Sequence, residues 1–121
     1  MSRRKGKGDC FEVAGRMVLH DRDLVLCHGV ATGQGGIEGV RFWHAWCERT
    51  FQVPFPDLTT RPMVMAVDHA NGTVVELPVG VYLKVGDIRE VFRYTAEEAS
   101  VLMLRTGHWG PWVEDWEAMA R

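Results

Sequence analysis

A chain of 121 residues with 46% hydrophobic and 25% charged side chains has the composition of a folded domain, because disordered chains contain far fewer apolar residues. The 14 Lys and Arg residues against 16 Asp and Glu residues give a formal net charge of −2, which excludes the broadly basic surface that nucleic-acid binding needs. The 3 cysteines are odd in number and form no C-x-x-C pair, so the sequence predicts neither a disulfide framework nor a zinc knuckle.

The N-terminus carries a short basic cluster over residues 3–7, mixed with glycine. Such a cluster is typical of a solvated tail, so we predict a flexible tail over residues 1–8 and one α+β domain over residues 9–121. No apolar stretch reaches the roughly 20 residues that span a bilayer, and no signal-peptide core follows the tail. We therefore expect a cytoplasmic protein that does not bind membranes.

An amphipathic helix is predicted to begin at Cys10. Apolar residues recur at helical spacing over residues 10–18. Asp9 is a favourable N-cap and Glu12 follows it by one turn, which predicts a capping box. The Cys10 thiol would then lie in the first turn, where the positive end of the helix dipole stabilises a thiolate.

Short apolar runs after this helix predict the strands of a sheet. Asn71-Gly72 is a strong hairpin signal between two of these runs. The glycine-rich stretch over residues 29–39 predicts a loop, and its spacing fits no phosphate-binding motif. The predicted strands cover residues 24–27, 40–48, 63–67, 73–77 and 79–85.

The C-terminal third of the chain predicts helices. Thr95 and Glu98 form a capping box for a helix that runs to about residue 105, and Gly107 and Pro111 stop it. Residues 112–119 predict a last short helix. The predicted fold is therefore α+β, with an N-terminal helix packed on a mainly antiparallel sheet of four to five strands and a C-terminal helix completing the core.

Three residues in this pattern suit covalent catalysis. Cys10 at a helix start is placed as a nucleophile, His44 within a strand can accept and return its proton, and Asp68 at the end of the next strand can orient the imidazole. The backbone amide of Cys10 can serve as one oxyanion donor. Neither a metal ion nor an organic cofactor is needed for this chemistry.

Residues 9–14, DCFEVA, resemble the Asp-Cys helix start of NlpC/P60-type enzymes. Residues 44–48, HAWCE, resemble the His-Ala-Trp-Val-Glu element of transglutaminase-like enzymes, and residues 67–68 are similar to their Val-Asp-Pro element. The chain thus resembles the papain-like and transglutaminase-like cysteine hydrolases. This resemblance implies an N-terminal helix on an antiparallel sheet, acyl transfer through a thioester, and a peptide or protein substrate.

The sequence leaves the residues around this triad open. His69 follows Asp68 where the resemblance would place proline, so His69 and Asn71 are alternatives for orienting the imidazole. Gln34, in the glycine-rich stretch, is a candidate for the oxyanion glutamine of papain-like enzymes. Gln34, Trp46 and Asn71 are together the predicted substrate-binding residues.

Other functions are also compatible with this sequence. The same scaffold can act as a binding or interaction module without turnover, as in a phage or bacterial accessory protein. The segment His28-Gly29-Val30 resembles the His-Gly-Thr of NAD-dependent ADP-ribosyltransferases, with Val30 in place of the hydroxyl residue. A zinc site at His44 and Cys47 is rejected, because an odd separation on a strand sends the two side chains to opposite faces.

Overall fold

The computed structural model describes residues 9–33, 39–69 and 72–121. Five strands and four helices are formed by these residues, and both kinds of element are interleaved along the chain. The elements are α1 (Cys10–His20), β1 (Val25–Thr32), β2 (Arg41–Pro54), β3 (Thr60–Asp68), β4 (Val75–Pro78), α2 (Val79–Val85), β5 (Arg89–Tyr94), α3 (Ala96–Thr106) and α4 (Trp116–Met119). The predicted tail, Gln34 and Asn71 lie outside the described residues.

The five strands form one antiparallel sheet in the order β4-β3-β2-β1-β5. Successive side chains on a strand point to opposite faces, so a strand in the middle of a covered sheet needs apolar residues at consecutive positions. β2 meets this requirement, with Ala45, Trp46 and Cys47 all buried. The predicted α+β class, with an N-terminal helix on an antiparallel sheet and helices at the C-terminal end, is confirmed.

Helices cover both faces of the sheet. One face carries α1 and α3, which also contact each other, and α2 packs on the β3–β4 end of the other. The core under α1 and α3 contains Cys10, Ala14, Val18, Leu24, Leu26, Ala45, Cys47, Ala96 and Ala99. The core under α2 contains Cys27, Trp46, Ala66 and Tyr82. In the described parts of the chain, no helix has the length and apolar character required to cross a bilayer.

One predicted strand is a helix, one strand was not predicted, and the ends of the other strands differ from the predicted ones, with β2 continuing to Pro54 instead of ending at Glu48. Residues 79–85 form the helix α2 and not a strand, although valine and tyrosine in this segment favour strands. β1 continues through Gly29 to Thr32 instead of ending at Cys27. Glycine suits this position, because a Cβ atom there would lie 2.9 Å from the Trp46 ring and 2.8 Å from Ile88. β5, which pairs with β1, was not predicted.

The structure confirms the predicted start of α1 but not its predicted cap. The helix begins at Cys10, as predicted, and Asp9 is its N-cap residue. The Asp9 side chain makes no cap hydrogen bond, so the predicted capping box is wrong. Glu12 instead accepts a hydrogen bond of 2.8 Å from Arg16, one turn further along the helix.

The predicted capping box of α3 is confirmed. The Thr95 hydroxyl accepts a hydrogen bond of 3.1 Å from the Glu98 amide, and the Glu98 carboxylate accepts one of 2.9 Å from the Thr95 amide. Gly107 ends the helix in the left-handed conformation with φ 77°, which glycine adopts without strain.

Replacing Thr95 with alanine should lower the free energy of unfolding by about 1 kcal/mol, because the Glu98 amide at the start of α3 then loses its acceptor. Urea unfolding measures the change. Ser100→Ala is the matched control inside α3, where the hydroxyl donates a hydrogen bond to the Ala96 carbonyl, and it should change stability by about 0.5 kcal/mol or less. Equal losses in both variants would contradict a specific role of the cap.

Candidate active site

Cys10 occupies the first position of α1 and is 8% exposed. The amides in the first turn of a helix have no partners within the helix, and the helix dipole places partial positive charge there. The Cys10 side chain therefore lies at the electropositive end of α1.

The pairing of β2 with β3 brings His44 and Asp68 together. Cys47 lies opposite Val67, so Asp68 falls on the same face of the sheet as His44 and Trp46. The His44 Nε2 atom is 2.7 Å from Asp68 Oδ2, and the two side chains are only 16% and 13% exposed. Asp68 is the last residue of β3, as the sequence predicted.

The Cys10 side chain reaches His44 at the edge of β2. Pairing of β2 with β3 extends only as far as Cys47 and Val67, after which Asp68 pairs with Val75 of β4. The segment of β2 that holds His44 thus has β1 as its backbone partner, and Cys10 packs in one core cluster with Ala45 and Cys47 of this strand. The Cys10 side chain interacts electrostatically with the His44 ring.

The ionisation of His44 reflects these contacts. Burial disfavours the protonated ring, but the hydrogen bond to Asp68 and the electrostatic interactions with Asp68 and Cys10 outweigh it and raise the pKa of His44 to about 9. The imidazole therefore carries a proton at neutral pH. A positively charged ring beside a sulfur atom stabilises the thiolate form of that sulfur.

Tyr82 of α2 is a member of the site that the sequence analysis missed. Its hydroxyl donates a hydrogen bond of 2.5 Å to Asp68 Oδ2 and lies 3.1 Å from His44 Nε2. Burial and the Asp68 charge raise the pKa of Tyr82, so the phenol stays protonated and acts as a donor. Residues 79–85 were predicted as a strand, and no local signal in them shows that Tyr82 faces the sheet.

Trp46 lies behind the imidazole. It is completely buried and stacks on His44 with ring centroids 6.1 Å apart and an angle of 19° between the planes. Its Nε1 atom donates a hydrogen bond of 3.4 Å to Glu48. A side chain without exposed surface packs against the His44 ring and offers no surface to a ligand, so the burial of Trp46 does not support its predicted substrate-binding role.

The other predicted binding residues, Gln34 and Asn71, lie outside the described residues, so their roles stay predictions. The residue that bonds His44 Nε2 is Asp68, and the alternative orienting residue His69 follows it as the chain leaves β3.

The remaining cysteines are in different environments from Cys10. Cys27 and Cys47 are completely buried, and burial raises the pKa of both thiols, that of Cys47 to about 12. Cys47 donates a hydrogen bond of 3.4 Å to the Ala14 carbonyl on the face of the sheet opposite His44. In residues 9–33, 39–69 and 72–121 no three His, Cys, Asp or Glu side chains form a metal-binding group.

His28, the residue behind the ADP-ribosyltransferase resemblance, is enclosed in the core. It was predicted to lie at a strand end beside a loop, but it is a middle residue of β1 with no exposed surface. Its ring contacts the rings of Phe11, Tyr94 and Trp112 at centroid distances of 4.7, 5.3 and 4.9 Å. A ring enclosed in this way cannot contact a nucleotide.

Comparison with protein-family models, with curated proteins and with solved structures gives no match for this chain. The chemical role of Cys10, His44 and Asp68 therefore has to follow from their own geometry. A helix start supplies the thiol, one strand supplies the imidazole, and the neighbouring strand supplies the carboxylate.

Proposed function

We propose that this protein is a cysteine-dependent hydrolase or acyl transferase that cleaves an amide or isopeptide bond. The observation that carries the proposal is the placement of the His44 imidazole, which is hydrogen-bonded to the carboxylate of Asp68 and interacts electrostatically with the thiol of Cys10. A nucleophile, a proton carrier and an orienting group in this order are the parts that covalent acyl transfer requires.

The first chemical step forms a thioester. The Cys10 thiolate attacks the substrate carbonyl carbon, and the electron pair of the carbonyl bond moves to oxygen, which the amides at the start of α1 stabilise. The tetrahedral intermediate then breaks its C–N bond. Protonated His44 gives its proton to the leaving nitrogen, so an amine departs and the acyl group stays on sulfur.

The second step releases the acyl group. Neutral His44 takes a proton from water, or from the amine acceptor in a transferase reaction, while its oxygen or nitrogen attacks the thioester carbon. The C–S bond breaks and the Cys10 thiolate and the imidazolium are restored. Asp68 keeps Nε2 of His44 hydrogen-bonded throughout, which fixes the ring orientation during both proton transfers.

The proposed substrate is a peptide or protein, and the proposed location is the cytoplasm. All three cysteines are free thiols in this fold, which suits a reducing compartment. The same scaffold without turnover would be a binding module, and the reactivity of Cys10 distinguishes the two.

Alkylation of the three cysteines tests the proposal. Native protein treated with iodoacetamide at pH 6 should be modified at Cys10 at least about 100-fold faster than at Cys27 or Cys47, because the imidazolium of His44 favours the reactive thiolate. Peptide mass spectrometry after a time course gives the rate at each cysteine. The Cys10→Ala variant should lose the fast phase entirely.

The His44→Gln variant shows whether Cys10 reacts fast because His44 activates its thiol or only because the thiol is accessible to the reagent. Glutamine keeps hydrogen-bonding capacity but carries no positive charge, so Cys10 should react at pH 6 at a rate at least about 10-fold below that of the wild type. If Cys10 reacts equally slowly in both proteins, the thiol is not activated and the molecule is a binding module.

A further inference from the structure

A cleft of about 340 Å³ opens next to His44, at the low end of the volume range of small-molecule sites. It lies between the ends of β1 and β2, the strand β4 and the helix α2. Its wall includes Phe42, His44, Leu77, Tyr82, Val85 and Ile88. We propose that this apolar cleft binds an uncharged aliphatic or aromatic side chain of the acyl donor, next to the bond that Cys10 attacks.

The position of the apolar cleft supports this assignment. His44 and Tyr82 belong both to the cleft wall and to the hydrogen-bonded group around Asp68. A substrate group in the cleft therefore contacts the imidazole that serves Cys10 in the proposed reaction. Binding energy gained in the cleft holds the scissile carbonyl at the sulfur, which is how a pocket beside a nucleophile raises the rate.

The chemistry of the wall selects an uncharged group. Among the described residues that line the cleft, the ionisable side chains are His44 and the phenol of Tyr82. The Tyr82 hydroxyl donates to Asp68, and the Thr32 hydroxyl bonds Asp87 at 3.0 Å. With both hydroxyls engaged, the wall offers mainly aliphatic and aromatic surface. A carboxylate would lose its hydration there and meet the His44 ring, whose charge is already paired with Asp68, and an ammonium group would meet the like charge of that ring.

Esters of 4-nitrophenol with different acyl chains test this inference, which rests on the proposed function. The wild type should hydrolyse the hexanoate with kcat/KM on the order of 100-fold above that for the acetate, because each buried methylene adds a factor of about four. The glutarate half ester, similar in length but charged at its end, should react at about the rate of the acetate. Cys10→Ala gives the background rate for each ester.

Two charge substitutions on α2 test whether the preference for the hexanoate arises in the cleft. Val85 lies at the rim of the cleft and Val81 lies outside it on the same helix, and both are exposed, at 58% and 47%. Val85→Asp places a carboxylate beside the bound chain and should reduce the hexanoate-to-acetate ratio about 10-fold or more. Val81→Asp introduces the same charge away from the cleft and should leave that ratio unchanged.

The outcomes separate this inference from the function on which it rests. If hydrolysis depends on Cys10 but shows no preference for the hexanoate, or if Val85→Asp and Val81→Asp behave alike, the cleft assignment is overturned and the proposed function stands. If no ester is hydrolysed faster by the wild type than by Cys10→Ala, the proposed function fails and the acyl-binding role of the cleft fails with it. A Cys10-dependent preference lost only in Val85→Asp supports both.

Discussion

The Asp68→Asn variant is expected to be less stable than the wild type by up to about 3 kcal/mol at pH 6, with the difference disappearing near pH 10. The pKa of His44 is raised from 6.5 to about 9 in the folded protein, in part by its hydrogen bond to Asp68. Each unit of this shift corresponds to about 1.4 kcal/mol. Asparagine accepts a hydrogen bond but carries no charge, so it cannot stabilise the imidazolium to the same degree.

The sign of the pH dependence follows from the direction of the shift. A histidine whose pKa is raised on folding binds its proton more tightly in the folded protein, so its contribution to stability is complete below pH 6.5. That contribution is lost as the pH rises through about 9. Urea unfolding at pH 6 and at pH 10 measures the difference, and the His44 ring resonances in an NMR titration should show a lower pKa in the variant.

Asp23→Asn provides the control for the removal of one negative charge. Asp23 is exposed in the turn after α1 and does not contact His44, so this variant should follow the wild type at both pH values. If Asp68→Asn leaves the His44 titration unchanged, the carboxylate does not set the ionisation of the ring and its role as the orienting residue is lost.

Replacing His28 with phenylalanine is expected to stabilise the protein in acid. His28 has no exposed surface, and neither ring nitrogen has a hydrogen-bond partner. Burial lowers the pKa of His28 from 6.5 to about 3. The rings of Phe11, Tyr94 and Trp112 that face it do not titrate in this range and offer no charge to stabilise a proton.

The pH dependence of stability that His28 causes has the opposite sign to that of His44. Because the pKa of His28 is lowered on folding, the unfolded chain binds the proton first, so stability falls as the pH drops from 6.5 toward 3. At pH 4 the wild type should lose about 3 kcal/mol from this residue. The His28→Phe variant lacks the titrating group and should retain that amount relative to its own stability at pH 7.

Thermal or urea unfolding of both proteins between pH 7 and pH 4 measures this gain. His28→Leu is a second variant, in case the larger phenylalanine ring strains Gly110, whose backbone lies against the imidazole. His20→Phe changes an exposed histidine in the last turn of α1 and should leave the pH dependence of the wild type intact. If the His28 variants and the wild type lose stability in parallel, the buried ring is not the acid-sensitive group.

Local sequence signals predicted the elements that carry the triad. The helical spacing of apolar residues placed the start of α1 at Cys10, and the apolar strand around His44 predicted burial on both faces. Thr95 and Glu98 predicted the capping box of α3, because a cap depends only on residues within one turn of the helix. The strand propensity of the valines in residues 79–85 predicted a strand, but tertiary packing makes this segment the helix α2.

The contacts within the site required the tertiary structure. The helical and strand periods of the sequence determined that Cys10 begins a helix, that His44 lies within a strand and that Asp68 ends the next one. The antiparallel register of β2 and β3 decided that His44 and Asp68 share a face, and the packing of α2 decided that Tyr82 bonds Asp68. Periodicity records only which face of its own element a residue occupies, whereas distances between elements depend on how the whole core packs.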